Sequence, residues 1–216
     1  LSKNFENYIA KNVDIFTCVS EHDKKKVKDT YNVKAQILAN GIDYPNISKL
    51  KLLKRKFDYI FFCGSIEYQP NKEALEILVN KIMPIVNKFN PNLKLLVSGN
   101  PKLPMKAKNL INVGFVSKIK FYQILKSSSV FVNPMKTAFG SQIKMISALV
   151  FGKTIVASKK ATVGLDLKIK EKIFIANTNR DFAYKILRNL KNQKTNLKTS
   201  KFYQKKYSYK TIIDNF

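Results

Sequence analysis

The stretch VFVNPMKTAFGSQIKMISALVFGKTIVA, residues 130–157, decides the fold of this chain. It starts with a short apolar run at Val130–Val132, and a second apolar run follows at Thr154–Ala157. Between the two runs, Gln142–Phe151 has the apolar spacing of a helix, and Gly152 after it is a common helix stop. Strand, helix and strand in this order predict a βαβ unit, whose two strands lie parallel in one sheet.

The same alternation continues on both sides of this unit. The strands are continuously apolar, as strands must be when helices cover both faces of a sheet. We therefore expect an α/β fold in which a mostly parallel sheet carries helices on both faces. The sequence predicts further strands at Tyr59–Cys63, Leu93–Val97, Leu110–Val113 and Ile173–Ala176, and further helices at Pro70–Phe89, Ile119–Leu125 and Arg180–Leu190.

Two segments flank this predicted domain, which covers residues 58–190. Residues 1–45 precede it as a separate α/β piece, and residues 46–57 are basic and read as a linker. Residues 191–216 are rich in Lys and Tyr and have a helix-like pattern, and no strand is predicted to follow them. In the first segment we predict helices at Lys3–Asn12 and Ser20–Tyr31 (Ser20 as N-cap), strands at Asp14–Val19 and Ala35–Leu38, and a turn at Asn40-Gly41.

The charge of the chain is strongly basic and unevenly distributed. The chain has 40 Lys and Arg residues and 14 Asp and Glu residues, which gives a net charge of +26. No acidic residue lies between Glu76 and Asp166. Either this interval faces a polyanion, or it reflects a Lys-rich proteome, and the second reading is favoured for most single lysines. Arg is scarce, although phosphate and nucleic-acid sites usually draw on its planar fork.

Composition excludes several classes of protein. At 45% hydrophobic residues the chain can bury a core, so wholesale disorder is excluded. No apolar run reaches the roughly 20 residues of a membrane span, and no signal peptide is expected. Cys18 and Cys63 lie in apolar runs, and His22 is the one histidine. A disulfide framework, a zinc site or a Ser-His-Asp triad is therefore not expected, and we predict His22 to be a surface residue.

Candidate binding residues lie where predicted strands give way to helices. In a parallel sheet, ligands bind at the carboxyl ends of the strands, where helix N-termini attract anions. Three such junctions line one sheet edge, which favours a phosphate-bearing ligand, although Gly, Ser and Asn there also serve as ordinary turn and capping residues. They are Gly64-Ser65 with Asn71, Gly99-Asn100, and Asn133 to Ser141 with Gly140 and the following Lys144.

Several segments, taken in order, resemble the family 4 retaining glycosyltransferases. DIFTCVSEHDKKKVKDTYNVKAQILANGID (14–43) resembles the end of their N-terminal domain, and FFCGSIEYQPNKEAL (61–75) the opening of their C-terminal domain. LKLLVSGNPK (93–102), LINVGFV (110–116) and VFVNPMKTAFGSQIKMISALVFGKTIVASKKATVGL (130–165) follow in the same order. Each piece is short, so the order carries the resemblance.

The resemblance implies a GT-B architecture, in which two Rossmann-like domains face a cleft and the C-terminal one holds a nucleotide diphosphate sugar. This chain would supply that domain, the end of the acceptor-side domain, and a tail (191–216) that packs back toward the missing N-terminal domain. The resemblance further implies hexose transfer to a lipid-linked, glycan or protein acceptor, with no obligatory metal or cofactor. We expect a cytoplasmic protein, peripheral at the inner membrane face where lysines meet anionic lipid.

One position departs from the family pattern. Where the family usually has Lys-x-x-Glu-Ala after its Gly-rich turn, this chain has Lys144-Met145-Ile146-Ser147-Ala148. The resemblance thus assigns Ser147 to the position of a Glu that contacts the donor, and Gly164-Leu165 to the border of the donor site. A neutral hydroxyl makes weaker hydrogen bonds than a carboxylate. No catalytic residue is assigned.

Two other functions remain open. A degenerate glycosyltransferase could have become a scaffold, and Ser147 motivates that alternative. A basic nucleic-acid-binding module would use the Lys-rich tail 191–210, with strongly salt-dependent affinity. Nucleic acid is the less favoured partner, because the chain has little Arg and no evident aromatic stripe on a sheet face.

Overall fold

The computed structural model describes residues 3–54, 56–138, 142–165, 173–191 and 196–216. Within these ranges, six parallel strands form one sheet in the order β5-β4-β3-β6-β7-β8, and two short strands form a second sheet, β1-β2. The strands are β1 (Thr17–Cys18), β2 (Gln36–Ile37), β3 (Tyr59–Cys63), β4 (Lys94–Ser98), β5 (Leu110–Asn112), β6 (Val130–Asn133), β7 (Ile155–Ala157) and β8 (Ile173–Ile175). The predicted parallel α/β sheet is confirmed.

Helices connect these strands and cover the sheet. They are α1 (Lys3–Lys11), α2 (Glu21–Tyr31), α3 (Gln69–Ile77), α4 (Met83–Phe89), α5 (Lys118–Ser127), α6 (Ile143–Val150), α7 (Asn179–Asn189), α8 (Leu197–Lys206) and α9 (Tyr209–Asp214). Side-chain oxygens of Ser20, Ser117 and Thr178 accept the amide hydrogens that start α2, α5 and α7. Every residue of the central strands β3 and β6 is buried, which explains their continuously apolar sequence.

The helix predicted over Pro70–Phe89 is wrong in its middle. A π-helical turn at Leu78–Ile82 separates α3 from α4, and the amide of Met83 donates to the carbonyl of Leu78, five residues back. Pro84 follows directly. Proline lacks an N–H, and its ring clashes with the carbonyl four residues earlier, so a widened turn relieves the helix at this point.

The first segment is more irregular than its sequence predicts. The strands predicted at Asp14–Val19 and Ala35–Leu38 shrink to two residues each, because each has one neighbour to pair with. Asn40-Gly41 forms no turn. Gly41 instead packs against the ring of Tyr209, where a Cβ would come within 2.5 Å of a ring carbon.

Residues 46–54 of the predicted linker pack against α5. Leu50 is buried, and the amide of Leu53 donates to Ser127 Oγ at 2.9 Å. Lys126 Nζ donates to the carbonyls of Ile47 and Leu50, both at 2.7 Å. These bonds attach the segment to the six-stranded domain.

The C-terminal tail also contributes to the core. Helix α8 packs on α6, and Ser200 Oγ donates to the carbonyl of Val150 at 2.6 Å. Tyr203 is fully buried and its ring stacks on that of Tyr207. The carbonyl of Tyr207 accepts the amide of Ile42 at 2.9 Å, so the tail joins the first segment to α6. Across the described residues, no helix is long and apolar enough to cross a membrane.

Candidate functional site

The strand order places a crevice between β3 and β6. From β3 the chain builds outward to β4 and β5, then returns to the other side with β6, β7 and β8. β3 pairs with β4 over five residues but with β6 only at Ile60 and Phe61. The two central strands therefore separate toward their carboxyl ends at Cys63 and Asn133. Ligands of open α/β sheets bind at such a reversal of strand order.

Two glycine turns form one wall of this crevice. Gly64 follows β3 with φ +145°, and Gly99 follows β4 with φ +96°. The turns touch, because Gly64 N donates to the Ser98 carbonyl at 3.1 Å and a Cβ on Gly99 would lie 3.2 Å from the carbonyl carbon of Gly64. Positive φ favours glycine at both positions, and a Cβ would meet the Asn71 side chain at Gly64 and the backbone of Gly64 at Gly99.

Asn100 holds the two turns together. Its amide nitrogen donates to the Gly64 carbonyl at 2.9 Å, and its amide oxygen accepts the Ile66 amide at 2.7 Å. The side chain is 1% exposed. The sequence predicts Asn100 to contact the sugar donor. In the structure both its side-chain nitrogen and its side-chain oxygen bond the protein, so Asn100 supports the two turns.

Lys144 reaches across the mouth of the crevice from α6. Its ammonium donates to Asn71 Oδ1 at 2.6 Å and to the Cys63 carbonyl at 3.3 Å, and it lies 4.9 Å from the centroid of the Phe62 ring. Asn71 is held by a bond from its own amide nitrogen to the Ser65 carbonyl at 3.0 Å. The alternative reading of Asn71 as a helix cap is wrong, because α3 begins at Gln69 without a side-chain cap.

Burial shifts the pKa values of Lys144 and Cys63 at the crevice. Desolvation lowers the pKa of Lys144 to about 8, and the electrostatic effect of the neighbouring Cys63 acts in the opposite direction. Desolvation likewise raises the pKa of the Cys63 thiol to about 11, against the effect of Lys144. At neutral pH the thiol is therefore protonated and a poor nucleophile, while most Lys144 side chains carry a positive charge. Two of the three N–H groups of that ammonium have partners among the described residues.

Ser147 lies one turn further along α6 and faces inward. It is 3% exposed, and its hydroxyl donates to the carbonyl of Ile143 at 3.0 Å. Burial raises the pKa of the nearby Tyr122 on α5, whose hydroxyl donates to the carbonyl of Asp43 at 2.9 Å. The proton of the Ser147 hydroxyl is thus used by a bond within its own helix.

A separate cleft of about 460 Å³ places Gly164 and Leu165 opposite the start of α2, where Ser20, Glu21 and His22 line it. Lys206 and Tyr207 of the tail complete one side. His22 is exposed, as predicted, and no local sequence signal indicated that it would line a cleft with Gly164. Tyr207 of the tail lines the same cleft and bonds Ile42, so the tail helps to bring these segments together.

Gly140 and Ser141, predicted to offer N–H groups to phosphate, lie outside the described residues. Of the other predicted residues, the structure brings Gly64, Ser65, Asn71 and Lys144 into direct contact, with Gly99 and Asn100 beneath them. Asn133 ends β6 on the opposite side of the crevice. Among the described residues, no group of three His, Cys, Asp or Glu side chains could hold a metal ion.

Comparison with known proteins places these features in a family. The family model described as "Glycosyl transferases group 1" matches residues 58–192, more than half of the chain. An uncharacterized 44.6 kDa protein of the cps region of Klebsiella pneumoniae is 28% identical over 152 residues, which cover 63% of this chain and 39% of that protein.

Solved structures share the fold at lower identity. Sucrose-phosphate synthase from Thermosynechococcus elongatus superposes with a TM-score of 0.73 at 15% identity, covering 97% of this chain and 58% of the synthase. A mutant of S. aureus TarM in complex with fondaparinux, α-GlcNAc-glycerol and UDP gives 0.75 at 17% identity, covering 99% and 45%. This chain spans about two fifths to three fifths of these proteins.

Proposed function

The chain belongs to the group 1 glycosyltransferases, and we propose that it is the donor-binding half of an enzyme that transfers a hexose from a nucleotide diphosphate sugar. Its six-stranded domain has the Rossmann-like fold of GT-B glycosyltransferases. The observation that carries the proposal is the Lys144 ammonium, held by Asn71 and Cys63 at the crevice between β3 and β6.

The diphosphate would lie over the two glycine turns. Gly64 and Gly99 keep side chains away from this point, so a phosphate can approach the backbone closely. Lys144 supplies the positive charge, and its remaining N–H can bond a phosphate oxygen. The acid-free interval includes β4, β6 and α6, so the carboxylates near the crevice are confined to the loop after β3 and to α3.

Transfer then depends on position and charge. When the bond between sugar and diphosphate breaks, negative charge grows on the leaving phosphate oxygen. An ammonium already fixed beside that oxygen stabilises the charge without reorganising, which is the usual form of electrostatic catalysis. We propose that no obligatory metal is needed, as the family resemblance implies, and that the acceptor enters through the 460 Å³ cleft facing α2.

The acceptor and the partner domain are also proposals. We propose a lipid-linked, glycan or protein acceptor, a further N-terminal domain opposite the crevice, and a cytoplasmic location at an anionic membrane surface. The excess of lysine supports the last point. Flotation with liposomes that contain or lack anionic lipid tests it, and equal flotation with both would contradict it.

Isothermal titration with UDP-, GDP- and ADP-sugars tests the central proposal. UDP-sugars come first, because TarM, a protein of the same fold, was solved with UDP. We expect one class of nucleotide sugar to bind and Lys144→Gln to weaken it. If no nucleotide sugar binds, the proposal fails.

A scaffold without activity is the second candidate, and the buried Ser147 favours it. The hydroxyl bonds Ile143 and faces Tyr122, where the family resemblance places a donor-binding Glu. Ser147→Glu separates the candidates. A large rise in turnover identifies a weakened enzyme, whereas no turnover in either form, despite retained donor binding, identifies a scaffold.

A further inference from the structure

Asn133, the last residue of β6, has a buried side-chain amide without a partner. The residue is 0% exposed, and neither Nδ2 nor Oδ1 makes a hydrogen bond in the described structure. Its backbone is conventionally paired, with the carbonyl accepting the amide of Ser158 at 3.1 Å. An unsatisfied buried amide is costly, and native proteins nearly always pair such groups. Asn133 therefore calls for a specific explanation.

Asn133 ends β6 at the point where that strand has separated from β3, so it lies at the base of the crevice. Residues two apart on a strand share a face, so Asn133 lies on the same face as Phe131. The ring centroids of Phe131 and Phe61 lie 6.1 Å apart, and those of Phe61 and Phe121 of α5 lie 5.8 Å apart. That face is the one covered by α5, and β6 reaches its end there just where it has separated from β3.

The chemistry of an amide selects among ligand groups. An Asn side chain offers a donor and an acceptor at once. Phosphate oxygens only accept, and Lys144 already supplies donors for them. A hydroxyl both donates and accepts, so one hydroxyl, or two on neighbouring carbons, satisfies both halves of an amide. The ligand group that fits Asn133 is therefore a sugar hydroxyl rather than the diphosphate.

We propose that Asn133 recognises hydroxyl groups of the bound nucleotide sugar, taking over the hydroxyl-binding role that a neutral, engaged Ser147 leaves unfilled. This inference rests on the proposed function, since it assumes a nucleotide sugar in the crevice. The hydroxyls belong either to the transferred sugar or to the ribose, which share the same chemistry. Asn133 is thus a specificity-determining residue for the donor.

The test compares two asparagines that undergo the same substitution. Asn133→Val removes an unsatisfied amide. We therefore expect the melting temperature of the ligand-free variant to equal that of the wild type or to exceed it by about 2 °C or more. Asn100→Val removes an amide that bonds Gly64 and Ile66, so we expect it to melt lower. Both variants are then titrated with UDP, 2′-deoxy-UDP and UDP-glucose, and with the GDP and ADP counterparts.

We expect Asn133→Val to bind the preferred nucleotide sugar about 10- to 100-fold more weakly, the loss expected for one to two hydrogen bonds. If the transferred sugar supplies the hydroxyls, the free nucleoside diphosphate binds both proteins equally. If the ribose supplies them, the free diphosphate weakens in parallel, and the 2′-deoxy form binds the wild type as weakly as the variant.

Two results would overturn the inference while leaving the proposed function intact. One is unchanged affinity of Asn133→Val for a nucleotide sugar that the wild type binds. The other is a fall in melting temperature comparable to that of Asn100→Val, which would make the amide a structural group satisfied by buried water. Failure of the wild type to bind any nucleotide sugar instead removes the proposed function, and with it the ligand of Asn133.

Discussion

Donor binding should depend on pH through Lys144, because an anionic diphosphate needs the protonated ammonium. The side chain sits between Asn71 and the Cys63 carbonyl, and burial lowers its pKa to about 8. An ordinary surface lysine stays charged to about pH 10 and would give no such effect near neutrality. The perturbation is therefore a shift from pH 7 to pH 9, with Lys144→Gln as the companion variant.

The size of the effect follows from that pKa. With a pKa of about 8, roughly nine tenths of Lys144 is charged at pH 7 and about one tenth at pH 9. If only the charged form binds the diphosphate, the apparent dissociation constant rises about 10-fold over this interval. Lys144→Gln loses a charge-assisted bond worth about 1.5–3 kcal/mol, so at pH 7 it should bind roughly 10- to 150-fold more weakly.

Isothermal titration with the preferred nucleotide sugar measures both effects. Repeating the pH 8 titration in buffers of different ionisation enthalpy also counts protons, and we expect net uptake when the ligand raises the pKa of Lys144. The exposed Lys88 lies in the same acid-free interval, in the last turn of α4 before the amino end of β4, so Lys88→Gln removes one unit of charge away from the crevice and serves as the control.

The reasoning is refuted if wild-type affinity stays flat between pH 7 and pH 9, or if Lys88→Gln and Lys144→Gln weaken binding equally. The first result would mean that Lys144 does not meet the diphosphate. The second would mean that the ligand senses net charge rather than one placed ammonium.

Four further predictions follow from other contacts. Between about pH 8 and pH 10.5, Lys144 is protonated more often in the unfolded state than in the folded state. The free energy of unfolding of the wild type, measured in urea, should therefore rise over this range by up to about 3 kcal/mol relative to that of Lys144→Met. Parallel pH profiles of the two proteins would contradict this. Gly64→Ala, whose Cβ would lie 2.5 Å from Asn71 Nδ2 at φ +145°, should lose about 2–4 kcal/mol of unfolding free energy. Gly114→Ala, whose Cβ at φ +70° would make only an ordinary contact at 3.9 Å with the carbonyl oxygen of Asn100, should lose about 1 kcal/mol, and equal losses would rule out the clash. Ser200→Ala should cost about 1–2 kcal/mol by removing the bond to Val150, whereas the exposed Lys201→Ala should be neutral within about 0.5 kcal/mol in the same denaturation assay. Sugar transfer should proceed unchanged in EDTA, and activity that disappears with chelator and returns with a divalent cation would contradict metal independence.

Local sequence predicts most of the fold because local physics determines its elements. Apolar runs such as Tyr59–Cys63 are buried on both faces, and caps such as Ser117 and Thr178 set helix starts. The π-helical turn before Pro84 was foreseeable from the missing N–H of that residue, but the predicted helix ran through it. The short β1 and β2 were overextended, since strand length depends on neighbours that a sequence window does not contain.

The site was less predictable than the fold, because its contacts join distant segments. Gly64 and Lys144 were identified from strand ends and helix starts, which are local signals. The bond from Lys144 to Asn71 spans 73 residues of sequence, and that between Asn100 and Gly64 spans 36. Whether Asn100 supports the turns and Asn133 stands unpaired depends on three-dimensional neighbours, so two asparagines that look alike in sequence take opposite roles.

The buried tail has a consequence for how this protein can evolve. The family match ends at residue 192, but Tyr203 and Ser200 beyond it fill space against α6, and Tyr207 bonds Ile42 near the start of the chain. The region matched by the family model and the folded unit therefore have different borders. A recombination event that exchanged only the matched region would separate α6 from the helix that covers it, so we expect descendants to retain the donor domain and the tail as one block.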